Sequence, residues 1–191
     1  MPNEEQRRSV EEAYAAFCAG EQNAFDEIMC EFRQGLIYFL RGYVNCYDTA
    51  EDLAEDTFVE LLIHKNRFRG QSSLKTYLYS VARHKAVDHI RREQRRPTVA
   101  LEDLAEWGDG EDSPEEQYIA GERMQVISAA IAEIPGEYRE VLRLLYVDRL
   151  KYDEIAKIMR KNNKQIDNLA YRARGALRNA LGKEANLLED I

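Results

Sequence analysis

KNRFRGQSSLKTYLYSVARHKAVDHIRREQRR, residues 65–96, decides how this chain is read. Arg69-Gly70-Gln71-Ser72-Ser73 has the composition of a turn. After it, Leu74, Tyr77, Leu78, Val81 and Ile90 recur at the spacing that lines one face of a helix. That helix must stop by Pro97, which has no N–H to continue the ladder. The stretch carries ten Lys and Arg against two acids, a net +8 over 32 residues. The whole chain has a formal net charge of −8. A basic helix with Phe68, Tyr77 and Tyr79 set among its cations stands inside an acidic protein.

Outward from this stretch the apolar residues keep the same rhythm, and no alternating strand pattern competes. Val10, Tyr14 and Phe17 mark a first short helix, and Phe25, Ile28, Met29, Phe32, Leu36, Ile37, Leu40 and Val44 a longer second one. A third is expected to open on a capping box at Asp48-Thr49-Ala50-Glu51 and to run through Leu53, Phe58, Leu61 and Leu62. Residues 98–121 hold eight acids and no Lys or Arg, with Gly108, Gly110 and Pro114 breaking any helix. This is a linker by composition, kept extended by its like charges. Beyond it Met124, Ile127, Ile131 and Ile134 form another helical face. Pro135 starts a helix through Val141, Leu142, Leu145 and Tyr146. Two more helices are expected at Tyr152 to Met159 and Asn163 to Leu181, the second opened by an Asn162/Gln165 capping box. A short helix, a tight break and a basic helix outline a helix-turn-helix. The fold class is all-α, with two small helical domains joined by a flexible acidic linker.

Composition narrows the function. The 191 residues are 45% hydrophobic and 32% charged, as in a globular protein rather than a disordered one. No apolar run reaches the roughly 18 residues of a membrane span. MPNEEQRRSVEEAYAAF lacks the apolar core of a secretory signal, so a cytoplasmic location is expected. Cys18, Cys30 and Cys46 are too far apart for a C-x-x-C clip, and Cys18 and Cys30 read as small core residues. His84 and His89 miss the i, i+4 spacing of helical metal ligands. With no phosphate loop, nucleophile elbow or converging carboxylates, the sequence points away from an enzyme, a cofactor or a metal.

Three features call for chemistry. In the basic stretch, cations attract phosphates while aromatic faces offer platforms for unpaired bases, which suggests single-stranded or melted DNA. The alternative is a solvated basic helix with its rings in the core. In the acidic segment, Asp52, Glu55, Asp56 and Glu60 step by three or four along one helical face. A basic protein partner would explain that ridge, and so would plain solubility or pairing with the neighbouring basic helix. In the last helix, Lys164, Gln165, Asn168 and Arg172 are types that hydrogen-bond base edges or phosphates. An ordinary helical hairpin is the alternative there.

Taken together the motifs resemble the extracytoplasmic function (ECF) group of RNA polymerase sigma factors. AEDLAEDTFVELL (50–62) resembles the group's D-A-E-D-L-V-Q-E-T-F helix. NRFRGQSSLKTYLYSVARHKAVDHIRR (66–92) is similar to R-F-R-G-E-S-S-F-R-T-W-L-Y-R-I-A-R-N. IPGEYREVLRLLYVDRLKYDEIAKIM (134–159) and LAYRARGALR (169–178) resemble the group's L-P-x-x-x-R…S-Y-x-E-I-A and L-H-R-A-R-x-x-L-R segments.

The resemblance implies a non-enzymatic promoter-specificity subunit without cofactors. Its expected partners are core RNA polymerase (β′ and β subunits), promoter DNA and an anti-sigma factor. A stand-alone helix-turn-helix repressor or activator is the other reading. The implied domains are a region 2 domain at 1–97, the linker at 98–121, a region 4 domain at 122–183 and a tail at 184–191. Docking on polymerase is implied for Asp48, Glu51, Asp52, Glu55, Asp56 and Glu60. Recognition and melting of the −10 element fall to Arg67, Phe68, Arg69, Gly70, Gln71, Ser72 and Ser73, with Phe68 to Ser73 taking a flipped base. Lys75, Thr76, Tyr77, Tyr79, Arg83, His84, Lys85, Asp88, Arg91 and Arg92 complete that surface. Reading of the −35 element falls to Lys161, Asn163, Lys164, Gln165, Asn168, Tyr171, Arg172 and Arg174.

The chain departs from the group's pattern in places. Tyr77 replaces the usual Trp and His84 the common Asn. Arg160 stands where Gly is usual, which implies either a looser turn or a strained φ, and Asp167 stands where Lys is frequent. The tether can span two promoter elements: 24 residues extend to roughly 80 Å, against roughly 70 Å for two DNA turns.

Overall fold

The protein is described here from a computed structural model covering residues 8–44, 46–95, 127 and 129–182. The all-helical expectation holds: the described residues form helices and turns, with no strand among them. The chain divides into two compact units, the main break falling between Asp103 and Leu104.

The first unit contains α1 (Val10–Ala19), α2 (Gln22–Arg41), α3 (Tyr47–Ile63) and α4 (Leu74–Glu93), with a 3₁₀ turn at Lys65–Arg67. Ser9 and Glu12 form a capping box that starts α1, and Gly20 at φ 102° ends it, a left-handed conformation that glycine adopts without a Cβ clash. Helix α2 is the centre of the unit and packs on α1, α3 and α4. Its residues Ala24, Ile28, Phe32, Leu36, Ile37, Phe39 and Leu40 are buried, following the helical period. Facing them, α3 buries Leu53, Ala54, Phe58 and Leu61, and α4 buries Leu74, Leu78, Ala82 and Ala86. Each large aliphatic or aromatic side chain taken fully from water contributes about 1.5–3 kcal/mol, so this apolar face is what holds the four helices together.

Two expectations need correction. Helix α3 begins at Tyr47 with Cys46 at the N-cap, so the Asp48 capping box does not form. The helix starts two residues earlier than an Asp48 cap would place it, and Asp48 becomes a first-turn acid facing the positive end of the helix dipole. The cysteines are not core residues: Cys18 is half-buried, and Cys30 and Cys46 are exposed. Cys30 lies on the solvent side of α2, opposite the buried Ile28 and Phe32 stripe. The Thr49 backbone N–H and hydroxyl and the Asp48 N–H hold the Cys46 thiol below the usual cysteine value.

The second unit has helical residues at 129–133, then α5 (Gly136–Tyr146), α6 (Tyr152–Met159) and α7 (Asn163–Leu181). Pro135 is the N-cap of α5, and α5 packs on α7. Buried apolar residues come from all three helices, including Val141 and Leu144, Ile155 and Ile158, and Ile166, Leu169 and Ala173. After α5, the Arg143 guanidinium lies 3.6 Å from the largely buried Asp148 carboxylate. The linker 98–121, the tail 184–191, Arg96 and Met124 lie outside the described residues.

Candidate nucleic-acid interface

Helix α3 turns most of its acids outward. Asp48, Asp52, Glu55 and Asp56 are exposed, because the buried positions Leu53, Ala54, Thr57 and Phe58 leave these on the far side. Asp56 comes only within 3.9 Å of Lys85 Nζ, a loose and solvated pair. The other two acids are partly engaged within the unit: Glu51 pairs with Arg33, and Glu60 meets Arg67 at 2.6 Å. Val59, Leu62 and Ile63 are exposed at the end of the same helix, Ile63 most of all at 66%. An open cleft separates the ridge from α4, lined by Asp52, Glu55 and Asp56 on one side and by His84, Lys85 and Arg92 on the other.

The turn after α3 sits on a stack of rings. Tyr14 of α1 donates its hydroxyl proton to the Lys65 carbonyl in the 3₁₀ turn. The Tyr14 ring meets Phe68 edge-on at 5.0 Å, and Phe68 lies 5.3 Å from Tyr77. Phe68 and Tyr77 are therefore half-buried anchors of the loop. Burial pushes the Tyr77 phenol up, and it stays a neutral ring. Arg69, Gly70 and Gln71 project into solvent, with Gly70 at φ 68°, where a side chain would be strained. Ser73 closes the loop by capping α4: its hydroxyl accepts from the Thr76 N–H at 3.2 Å.

Two residues expected on this surface are inside the protein. Tyr79 is 2% exposed, its ring 4.8 Å from Phe39, so it cannot offer a face to a base. It reaches towards α2, where a Cβ on Gly35 would come within 3.0 Å of its hydroxyl, and Lys75 Nζ covers its ring at 5.5 Å. Thr76 is 1% exposed and shares a 2.8 Å hydrogen bond with the Ser73 hydroxyl. Both residues support the loop from within. Further along α4, Arg91 and Arg92 are exposed, while Lys75, Arg83 and Lys85 are half-buried. Asp88 draws on two neighbours, with His84 Nδ1 at 3.5 Å and Arg91 at 3.6 Å.

In the second unit the capping box forms as expected: Gln165 N–H donates to Asn162 Oδ1, and Asn162 N–H to Gln165 Oε1, both at 2.8 Å. Arg160, in the glycine place of the turn, takes φ 53°, the strained alternative of the two expected. The turn stays tight, with the Lys161 N–H bonded to the Ala156 carbonyl at 2.9 Å. Asn163, Lys164, Gln165, Asn168, Tyr171 and Arg172 are exposed on α7, and so is Asp167. Lys161 is held by Glu137 at 2.9 Å. Arg174 is half-buried and hydrogen-bonded to the Tyr146 and Tyr152 hydroxyls, which raise its pKa further. Its guanidinium braces α7 against the two tyrosines.

The residue that sequence reasoning missed is Tyr14. Its only signal was an apolar helical position, and its loop partner Lys65 is 51 residues away.

An acidic ridge, a ring-supported basic loop and a helix-turn-helix in one all-helical chain define a transcription factor that meets both a protein and DNA. Residues 30–96 match Sigma-70 region 2, and residues 124–177 match Sigma-70, region 4. The chain is 28% identical to RNA polymerase sigma-H factor of Pseudomonas aeruginosa, over 85% of this chain and 88% of that one. It is 29% identical to ECF RNA polymerase sigma factor SigM of Bacillus subtilis, over 84% and 97%. Against ECF RNA polymerase sigma-E factor of Escherichia coli it is 27% identical, over 84% and 87%. A similar fold occurs in the sigma factor RpoE bound to the anti-sigma factor NepR from Bartonella quintana, with TM-score 0.68 and 22% identity over 84% and 98% of the two chains. CnrH in complex with the cytosolic domain of CnrY shares it too, with TM-score 0.66 and 19% identity over 90% and 96%. This chain belongs to the ECF group of RNA polymerase sigma factors, non-enzymatic initiation factors that bind core polymerase and DNA and direct transcription to promoters. Region 2 and region 4 together set it apart from a stand-alone helix-turn-helix regulator.

Proposed function

We propose that the first unit, within residues 1–97, docks on the β′ subunit through α3 and opens the −10 element through the loop Phe68 to Ser73. The observation that carries this reading is the pairing of two surfaces on one small unit. Asp48, Asp52, Glu55 and Asp56 stand exposed on α3, and Arg69, Gly70 and Gln71 stand exposed on a loop anchored from beneath. Asp52, Glu55 and Asp56 are the docking acids. Like charges at i, i+3 and i+4 cost a helix about 0.2–0.5 kcal/mol per pair, a small penalty that a basic partner surface offsets. Arg69 and Gln71 hold the extruded base, while Lys75, Arg83, Lys85, Arg91 and Arg92 follow the phosphates. The second unit, within 122–183, reads the −35 element with Lys164, Gln165, Asn168, Tyr171 and Arg172 and rests on the β flap. Between them the linker 98–121 runs extended through the polymerase, and the protein works in the cytoplasm.

An anti-sigma partner is part of this reading. The sigma factor RpoE is seen bound to an anti-sigma factor, and CnrH to the cytosolic domain of CnrY. This chain is held in the same manner until released. The docking assignment is tested by Asp52→Arg with Asp56→Arg: co-purification with core polymerase is lost while the helical circular dichroism is kept. Unchanged co-purification overturns it. In vitro transcription with core polymerase over a genomic library then reports the promoters.

A further inference from the structure

We infer that Tyr14 is a positioning residue for −10 recognition, acting through the loop it underpins. The inference rests on the assignment of Phe68 to Ser73 to the melted −10 strand. Tyr14 belongs to α1, ahead of the stretch that matches region 2, and it holds the loop at two points. Its hydroxyl fixes the Lys65 carbonyl at the start of the 3₁₀ turn, and its ring fixes Phe68 three residues on. Phe68 is in turn wedged against Tyr77, so the entry to the loop is gripped from both sides. At the other end Ser73 is locked into the cap of α4 by Thr76.

Only Arg69 to Ser72 remain between these two clamps, and Gly70 lets the chain reverse there. A pocket for one base needs its walls held to a fraction of an ångström, and a loop four residues long can keep that geometry only if both ends are fixed. Burial pushes the Tyr14 phenol above its ordinary value, so the hydroxyl remains a donor at any working pH.

Tyr14→Phe tests this, because it removes the hydrogen bond and keeps the ring. The probe is a single-stranded oligonucleotide selected from a random library on holoenzyme made with the wild-type protein. Core polymerase affinity is measured alongside. Loss of one hydrogen bond predicts oligonucleotide binding roughly 2- to 10-fold weaker for Tyr14→Phe, with core affinity unchanged. Tyr14→Leu, which also loses the ring contacts with Phe68, weakens it further. Arg69→Ala and Gln71→Ala serve as controls and lose oligonucleotide binding if the loop is the pocket. Wild-type oligonucleotide binding by Tyr14→Phe, or an equal fall in core affinity, overturns the inference while the loop assignment stands. Full binding by both loop variants overturns the assignment and the inference with it.

Discussion

The two surfaces assigned to DNA are held in place by opposite means. The loop Phe68 to Ser73 rests on long-range contacts: Tyr14 lies 51 residues from Lys65, and the ring stack spans α1, the loop and α4. The start of helix α7 is set by local contacts, with Asn162 and Gln165 capping each other and Lys161 bonded back to Ala156. A pocket for an extruded base needs a cradle from several elements. A helix that enters a groove needs a clean start and a rigid entry turn. Damage should therefore spread differently in the two units.

The largest expected effect is in the first. Tyr79→Ala empties a core position against Phe39 and should cost about 3–5 kcal/mol, read as a lowered urea midpoint. If the midpoint barely moves, Tyr79 is not the core residue described here. Next come the two cap residues, Ser73→Ala and Asn162→Ala, each expected to cost about 1 kcal/mol in thermal unfolding. They separate in function: Ser73→Ala should also slow promoter opening, measured by permanganate reactivity, since it releases one end of the loop. Asn162→Ala should weaken −35 duplex binding and leave opening from a pre-melted template as it was. Equal behaviour of the two variants would break the contrast between the units. The smallest effect belongs to Arg160→Gly. Relief of a left-handed arginine, offset by glycine's entropy, leaves a gain below about 1 kcal/mol, visible as a slightly higher melting temperature.

The same contrast explains what the sequence could reveal. Helices α6 and α7 are legible in the sequence, because caps and turns obey rules spanning three or four positions. Arg160 was flagged by its place alone, and the structure chose the strained φ. The aromatic set was harder. Tyr77 falls on the apolar face of α4 by spacing while Phe68 and Tyr79 carry no such sign, yet Tyr79 is the ring buried against Phe39 and the other two anchor the loop. Side-chain direction decides this, and it depends on how α2 and α4 cross. The cap of α3 was misplaced because Asp48 and Glu51 imitate a capping box that Tyr47, a poor signal, pre-empts. Arg174 had only its place in the motif to read, and its bonds to tyrosine hydroxyls of two other helices depend on the tertiary fold.

Cys46 at the head of α3 has a practical consequence. Its thiol is exposed and held below the usual cysteine value by the Thr49 and Asp48 groups around it, and Cys30 is exposed along α2. A thiolate-selective dye should label Cys46 readily, because the thiolate is the reactive form. A native reporter would then sit within two turns of Asp48 and Asp52. Its change in fluorescence could time the arrival of polymerase, and the departure of any protein that holds the ridge before it.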